Sequence, residues 1–256
     1  MRKNNVLITI CGRAGSKGFK NKNLKTFLGY PLVYYTISAA LLFKEKAGKE
    51  ANVDICLNTD SLDLAELVAE RYPEVEYIAR SKELGEDSVP KAAVWHNCIE
   101  VMQERKNTSY QYMIDLDITS PLRQKDDVYN AYKLKIERND AEMVESVCPC
   151  RRNPYFNMYK KDGDFVSTVI DSNLTTRQQA PECFDENASI YVLDTRFFAG
   201  NDKNMLNEAK TVIYMMKDTA VLDIDSEEDF KLMQVVARYL FDEDEEYKVI
   251  RDNIRK

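Results

Sequence analysis

Two groups of residues, more than half the chain apart, could do chemistry together. The first is Ile8-Thr9-Ile10-Cys11-Gly12-Arg13-Ala14-Gly15-Ser16-Lys17-Gly18-Phe19-Lys20-Asn21-Lys22-Asn23. A mostly apolar run, Val6 to Cys11, empties here into a loop with three glycines, several basic side chains and no acid. Glycines let the backbone approach an anion, N–H groups point at it, and Arg or Lys neutralises it. Such a loop is expected to hold a nucleoside triphosphate. Arg13, between Gly12 and Gly15, and Lys22, beside Asn23, are the preferred cations; any one lysine of the loop reads equally well as a solvated side chain. The second group is Asp223-Ile224-Asp225. In an extended segment its two carboxylates fall on one face. Alone, this alternation suits an ordinary half-buried strand. Beside a phosphate loop it suits Mg2+ (or Mn2+), which takes one or two carboxylates plus substrate phosphates.

The elements that must position these groups alternate. After the first strand, Pro31 opens a helix with Val33, Ile37, Ala40 and Leu41 on one stripe. A strand over Asn52 to Leu57 ends in Asn58-Thr59-Asp60-Ser61. A helix marked by Leu64, Leu67 and Val68 follows. Next come a strand over Val75 to Ala79 ending at Arg80, and a helix striped by Val94, Cys98, Val101 and Met102. A strand over Tyr110 to Asp117 then runs into Ile118-Thr119-Ser120-Pro121-Leu122-Arg123. A helix from about Asp126 to Ile136 and a strand from Ala141 to Cys148 complete the pattern. Alternation of this kind predicts an α/β fold, a mostly parallel sheet with helices on both faces. Ligands of such sheets bind beyond the carboxyl ends of the strands. The front loop, Asp60, Arg80 and the turn from Asp117 to Arg123 all leave strands at that edge.

Between Pro149 and Asp185 the alternation breaks. Two short strands around Asp162-Gly163 read as a hairpin, and Arg177-Gln178-Gln179 follows in a polar stretch. This excursion, about residues 150–187, is expected to be a lid or a dimer arm on a single domain spanning 1–256. Sheet-like composition resumes over Ala188 to Leu193 and Thr211 to Met216. Ser226 with Asp229 forms a near capping box for a closing helix faced by Phe230, Met233, Ala237 and Leu240. The acidic stretch Asp242 to Glu246 is expected to be a solvated, partly frayed end.

Composition narrows the function classes. A net charge of −7 argues against broad nucleic-acid binding. No 18-residue apolar run could span a membrane, and Met1 to Asn5 carries no signal-peptide pattern, so a cytoplasmic location is expected. Six scattered cysteines suit reduced core thiols. The loop spacing is neither G-x-G-x-x-G nor G-x-x-x-x-G-K-[ST], which weighs against a dinucleotide oxidoreductase and a Walker-type ATPase. His96, the sole histidine, falls opposite the apolar stripe of its helix, so Ser-His or Cys-His hydrolysis ranks low. A D-x-D glycosyltransferase and a non-catalytic nucleotide-binding module remain open.

The loop C-G-R-A-G-S-K-G-F-K-N-K-N resembles the signature of acylneuraminate cytidylyltransferases, which make CMP-activated nonulosonic (sialic-type) acids. N-T-D (Asn58 to Asp60), D-I-T-S-P-L-R (Asp117 to Arg123), R-Q-Q-A-P (Arg177 to Pro181), A-S-I-Y-V (Ala188 to Val192) and D-I-D-S-E-E-D (Asp223 to Asp229) agree in order, from about residue 5 to 240. The resemblance implies a Rossmann-like nucleotidyltransferase fold, CTP as co-substrate, a nine-carbon acid sugar as acceptor, and a homodimer whose protruding arm completes the site. Arg13, Ser16 and Lys22 would hold the CTP phosphates, within a nucleotide site of Cys11, Gly12, Ala14, Gly15, Asn23 and Asp60. Arg80 and Ser88 would lie by the cytidine, and Asp223 and Asp225 would take the metal. Asp117, Thr119, Ser120, Arg123, Asn187, Ser189 and Tyr191 would form the sugar site, with Arg177 and Gln178 approaching from the arm. Many sialic-acid enzymes carry Gln-Pro before the Thr-Ser pair, where this chain has Asp117-Ile118. That turn and N-P-Y-F-N (Asn153 to Asn157) look more like the legionaminic-acid branch, with N-acetylneuraminate and its deaminated analogue as alternative acceptors. The loop also reads G-R-A-G where A-R-G-G is usual.

Overall fold

A computed structural model describes residues 3–15, 18–86, 88–198, 209–218 and 223–255. Strand β1 (Asn4–Cys11) lies at the heart of a seven-stranded sheet. Its interior side chains Val6, Leu7, Ile8 and Ile10 are all fully buried, because both faces of the sheet are covered there. A tight hairpin, β2 (Thr26–Phe27) and β3 (Tyr30–Pro31), turns through Leu28 and Gly29. Both turn residues hold positive φ, as a primed two-residue turn requires. The remaining sheet strands are β4 (Ala51–Thr59), β5 (Val75–Ala79), β6 (Tyr112–Leu116), β7 (Met143–Pro149), β10 (Phe184–Asp194) and β11 (Thr211–Met215). Strands β8 (Tyr159–Asp162) and β9 (Phe165–Thr168) pair with each other around Gly163 at φ 61, the hairpin expected at Asp162-Gly163.

The sheet order is β11-β7-β10-β6-β1-β4-β5. All neighbours are parallel except at β10, which runs antiparallel between β6 and β7. The expected mostly parallel sheet therefore holds, with one reversed strand set into its interior. Helices α1 (Leu32–Ala47), α2 (Leu62–Arg71), α4 (Asp127–Glu137), α5 (Glu227–Glu243) and α6 (Glu245–Asp252) contribute to the larger core with Val6, Ile8 and Ile10. Helix α3 (Lys91–Lys106) packs on the opposite face, where Trp95, Cys98 and Met102 meet Leu7, Met113 and Tyr191.

The acidic end is not frayed, contrary to the expectation for Asp242 to Glu246. Asp244 accepts from Glu246 N at 3.0 Å and starts α6 as a second helix. Its buried Tyr247 and Ile250 join the core, and Ser38 Oγ on α1 donates to Ile250 O at 2.5 Å. The charges read there as solvation are, in part, a helix start. Among the described residues no helix is long and apolar enough to cross a membrane.

Candidate active site

The carboxyl ends of β1, β4, β5 and β6 converge as expected, and the contacts show how. Gly12 N donates to Asn58 O at 3.0 Å, tying the front loop to the end of β4. A side chain at Gly12 would meet Ile118 Cδ1 at 2.8 Å and Asn23 Nδ2 at 2.9 Å, so those two side chains would have to shift to admit one. Asp60 Oδ1 accepts from Ala14 N at 2.7 Å. Arg80 is aimed by Asn58, donating from Nε to Oδ1 at 2.6 Å and from Nη2 to the carbonyl at 3.1 Å.

The far end of the chain closes over this loop. Ile224, fully buried, donates its N–H to Thr119 O at 3.2 Å. Lys22 Nζ donates to Ile224 O at 2.7 Å and lies 3.1 Å from Asp225 Oδ1. A Cβ on Gly18 would fall 2.5 Å from Asp225 O, so the loop touches the backbone of the acidic segment there. Phe19 packs on Phe230 with ring centroids 5.4 Å apart. Ser226 and Asp229 cap α5 reciprocally, fixing the chain one residue after Asp225.

These contacts enclose a cleft of about 340 Å³ lined by Cys11, Gly12, Arg13, Gly18, Phe19, Lys22, Asn23, Asp117, Thr119, Asp223 and Asp225. The two sequence groups therefore meet in one place. Burial raises the Asp223 pKa, and the negative charges of Asp117 and Asp225 add to that rise against the opposing charge of Lys22. A second cleft of about 280 Å³ shares Cys11 and Arg13 and is lined by Arg80, Leu84, Glu86, Val89, Lys91 and Val94. Arg13 thus borders both clefts.

Other expected residues are placed differently. Arg123 is fully buried and donates through Nη2 to Asp117 O at 2.6 Å and to Ser189 O at 2.8 Å. It braces the turn from below instead of facing a ligand. Ser120 Oγ donates to Asn187 O at 3.1 Å, and Asn187 Oδ1 accepts from Ser146 Oγ at 2.6 Å. With Ser189 they hold an irregular stretch of β10 in which Ala188 takes φ 50. Tyr191 is buried against Trp95 and donates its hydroxyl to Glu186. In this chain, then, Ser120, Arg123, Asn187, Ser189 and Tyr191 underlie the cleft, and Asp117 and Thr119 line it. Gly15 and Ser88 stand at the surface nearby. Arg177 and Gln178 are exposed on the excursion, Arg177 beside a separate cavity with Cys150 and Cys183, and neither lines either of the two clefts. Ser16 and Lys17 lie outside the described residues. Among those described, no three acidic, cysteine or histidine side chains form a ready-made metal cage. His96 sits on the outer side of α3, 3.8 Å from Glu100 and away from both clefts.

Lys91 escaped the sequence reading. Its Nζ lies 3.1 Å from Asp115 Oδ2 and 3.1 Å from Asp117 Oδ2, and 4.5 Å from the Tyr191 ring centroid. Burial works against its charge, but Asp117 and Asp115 outweigh it and raise its pKa well above the ordinary lysine value. Asp117 is held reciprocally: burial would raise its pKa, yet Lys91 and the Thr119 N–H and hydroxyl bring it down to about 2. The only local signal for Lys91 was a lysine directly after Pro90 at a helix start.

The chain is 33% identical over 237 residues to the post-translational flagellin modification protein B of Campylobacter coli, covering 91% of this chain and 95% of that one. It is 35% identical over 232 residues to the CMP-N,N'-diacetyllegionaminic acid synthase of Campylobacter jejuni, covering 90% and 93%. The fold matches the structure of CMP:2-keto-3-deoxy-manno-octonic acid synthetase complexed with CTP, with a TM-score of 0.65 at 13% identity over 92% of this chain and 99% of the other. Residues 7–237, from the first strand through most of the last long helix, match the cytidylyltransferase family, and the chain belongs to it.

Proposed function

We propose that the protein transfers CMP from CTP to the anomeric hydroxyl of a nonulosonic acid, releasing pyrophosphate, and that the acceptor is a legionaminate. The observation that carries this reading is the single cleft in which Arg13 and Lys22 of the front loop face Asp117, Asp223 and Asp225. The similarity to a CMP-diacetyllegionaminate synthase supports the choice of acceptor. The acceptor oxygen forms a bond to the α-phosphorus as the bond to the departing pyrophosphate breaks. Such a transfer depends on positioning and charge neutralisation more than on covalent help.

Each residue has a task in that scheme. Arg13, on the border of both clefts, is placed to hold the phosphates where the nucleotide passes from one to the other, with a bidentate fork that lysine lacks. Lys22 shares its charge between the phosphates and Asp225. Arg80, held by Asn58, faces the second cleft and suits the cytidine. The carboxylates fit Mg2+ by their chemistry: Asp223 is penalised by burial and by its acidic neighbours, a cost that a cation would relieve. Asp223 and Asp225 would hold it, and when bound it would supply charge neutralisation at phosphate and a lower pKa for the attacking hydroxyl. The enzyme acts in the cytoplasm as a homodimer, with Arg177 and Gln178 of one arm reaching the sugar in the partner's site.

The test is a panel of acids (N,N'-diacetyllegionaminate, N-acetylneuraminate and the deaminated sugar) with CTP and Mg2+. Pyrophosphate is measured and the product identified by mass. Highest kcat/KM with the legionaminate is expected. Turnover of N-acetylneuraminate alone would reassign the acceptor, and CTP binding without turnover of any acid would refute cytidylyl transfer.

A further inference from the structure

The ion pair between Lys91 and Asp117 has a charge balance and a hydrogen-bond count that point to a role in choosing the acceptor. One ammonium stands 3.1 Å from each of two carboxylates, Asp115 and Asp117, leaving the trio at a net charge of −1. Although Lys91 borders the second cleft, its charge is already spent and it is a poor clamp for phosphate. Asp115 is fully buried and also accepts from Thr9 Oγ1 at 2.6 Å, so it is a fixed anchor under the ammonium. The Tyr191 and Trp95 rings, with centroids 4.5 Å and 5.7 Å from Nζ, confine the ammonium further.

Asp117 is what that anchoring presents to the cleft. Its Oδ1 accepts from Thr119 N at 3.1 Å and Thr119 Oγ1 at 2.9 Å, and its Oδ2 accepts from Lys91. A carboxylate has about four lone-pair sites, so one is left for a ligand in the cleft that Asp117 lines. An ionised carboxylate held in this way can only accept. A ligand group that also accepts, or that carries negative charge, would leave both oxygens unpaired at that point.

We infer that Lys91 and Asp117 together read the acceptor, Lys91 as a positioning residue and Asp117 as the contact, selecting an acid that presents an amide N–H or hydroxyl donor to the Asp117 Oδ2. The inference rests on the proposed cytidylyl transfer. It places the acid's own carboxylate away from Asp117, toward the basic loop.

Steady-state pyrophosphate release by Asp117→Asn, Lys91→Met, Lys91→Arg and the Lys91→Met/Asp117→Asn double variant tests it, using whichever acid of the panel the native protein turns over. Asp117→Asn is isosteric and carries the test if Lys91→Met fails to fold, as thermal melting and CTP calorimetry will show. Loss of a hydrogen bond to a charged group corresponds to roughly 10–100-fold, so Asp117→Asn and Lys91→Met should raise the KM for the acid by about that much. The KM for CTP should stay within about threefold, Lys91→Arg should recover most of the loss, and the double variant should be no worse than the poorer single one. Equal rises in both KM values, or multiplying losses in the double variant, would overturn the inference. An unchanged acid KM in Asp117→Asn would overturn it and leave cytidylyl transfer standing. Absence of turnover by the native protein with every acid would remove both.

Discussion

At the scale of single residues, acidic groups in this molecule divide by what stands next to them. Asp117 has a cation and two further donors and is ionised down to pH about 2. Asp223 has burial and two acidic neighbours, which raise its pKa above the ordinary aspartate value. Asp223→Asn and Asp225→Asn are each expected to lower kcat by at least ~100-fold at saturating CTP and Mg2+, the scale of removing a preorganised electrostatic group; turnover within a few-fold of native would remove the metal role. Glu145 on β7 is a different case, away from the cleft. Burial, then hydrogen bonding to Glu186, raises its pKa from 4.5 to about 8. Between those values the folded chain binds a proton that the unfolded chain has lost, so stability falls as pH rises through this window. Glu145→Gln should therefore melt higher than the native protein at pH 8.5, by roughly 2–4 °C for each kcal/mol of penalty removed, and equally at pH 4. Equal melting at both pH values would show that Glu145 carries no such penalty. Lys91 was not legible for a reason of the same scale. Its partners lie 24 and 26 positions downstream on another strand, and no local pattern links them.

Elements were legible where period and caps act locally. The helices α1 and α3, the Ser226 cap and the Gly163 turn are all written within one or two turns of chain and appear in the fold, although α1 is buried on every side over 32–40 instead of along one stripe. The reversed β10 was not, because alternation identifies a strand and says nothing of which neighbour it pairs with or in which direction. Its insertion between β6 and β7 turns Ser120, Asn187 and Ser189 into supports of the cleft. The front loop offers a test at this scale. Gly18 approaches the backbone of Asp225, where a Cβ would sit 2.5 Å from the carbonyl oxygen, whereas Gly15 has nothing within 4 Å. Gly18→Ala should cost about 1–3 kcal/mol as an overpacked contact, read as a fall in Tm, and Gly15→Ala should leave Tm unchanged. Similar melting of the two would mean that the loop is not braced on the acidic segment. Ser226→Ala removes the cap next to Asp225 and should cost about 1 kcal/mol, or some 2–4 °C in Tm.

For the whole molecule, the distribution of exposed apolar surface bears on the proposed homodimer. The β8–β9 hairpin stands off the sheet with Tyr159, Phe165 and Val166 at 63%, 81% and 64% exposure, and Ile213 and Met215 on the edge strand β11 are 37% and 44% exposed. A paired hairpin with large apolar side chains on its outside is poorly suited to water by itself. It sits in the segment that also carries Arg177 and Gln178, which line neither cleft of their own chain. A second copy would solve both problems, covering the hairpin and receiving the two polar side chains. The prediction is that the native protein sediments as a dimer, and that Phe165→Glu with Val166→Glu shifts it to a monomer. Because the two clefts are built from other elements, the monomer should keep CTP affinity within about threefold by calorimetry, while the KM for the acid rises by about tenfold or more, since a bound group contributing one charged hydrogen bond is lost. A native monomer in sedimentation, or a variant monomer with an unchanged KM for the acid, would show that each chain works alone.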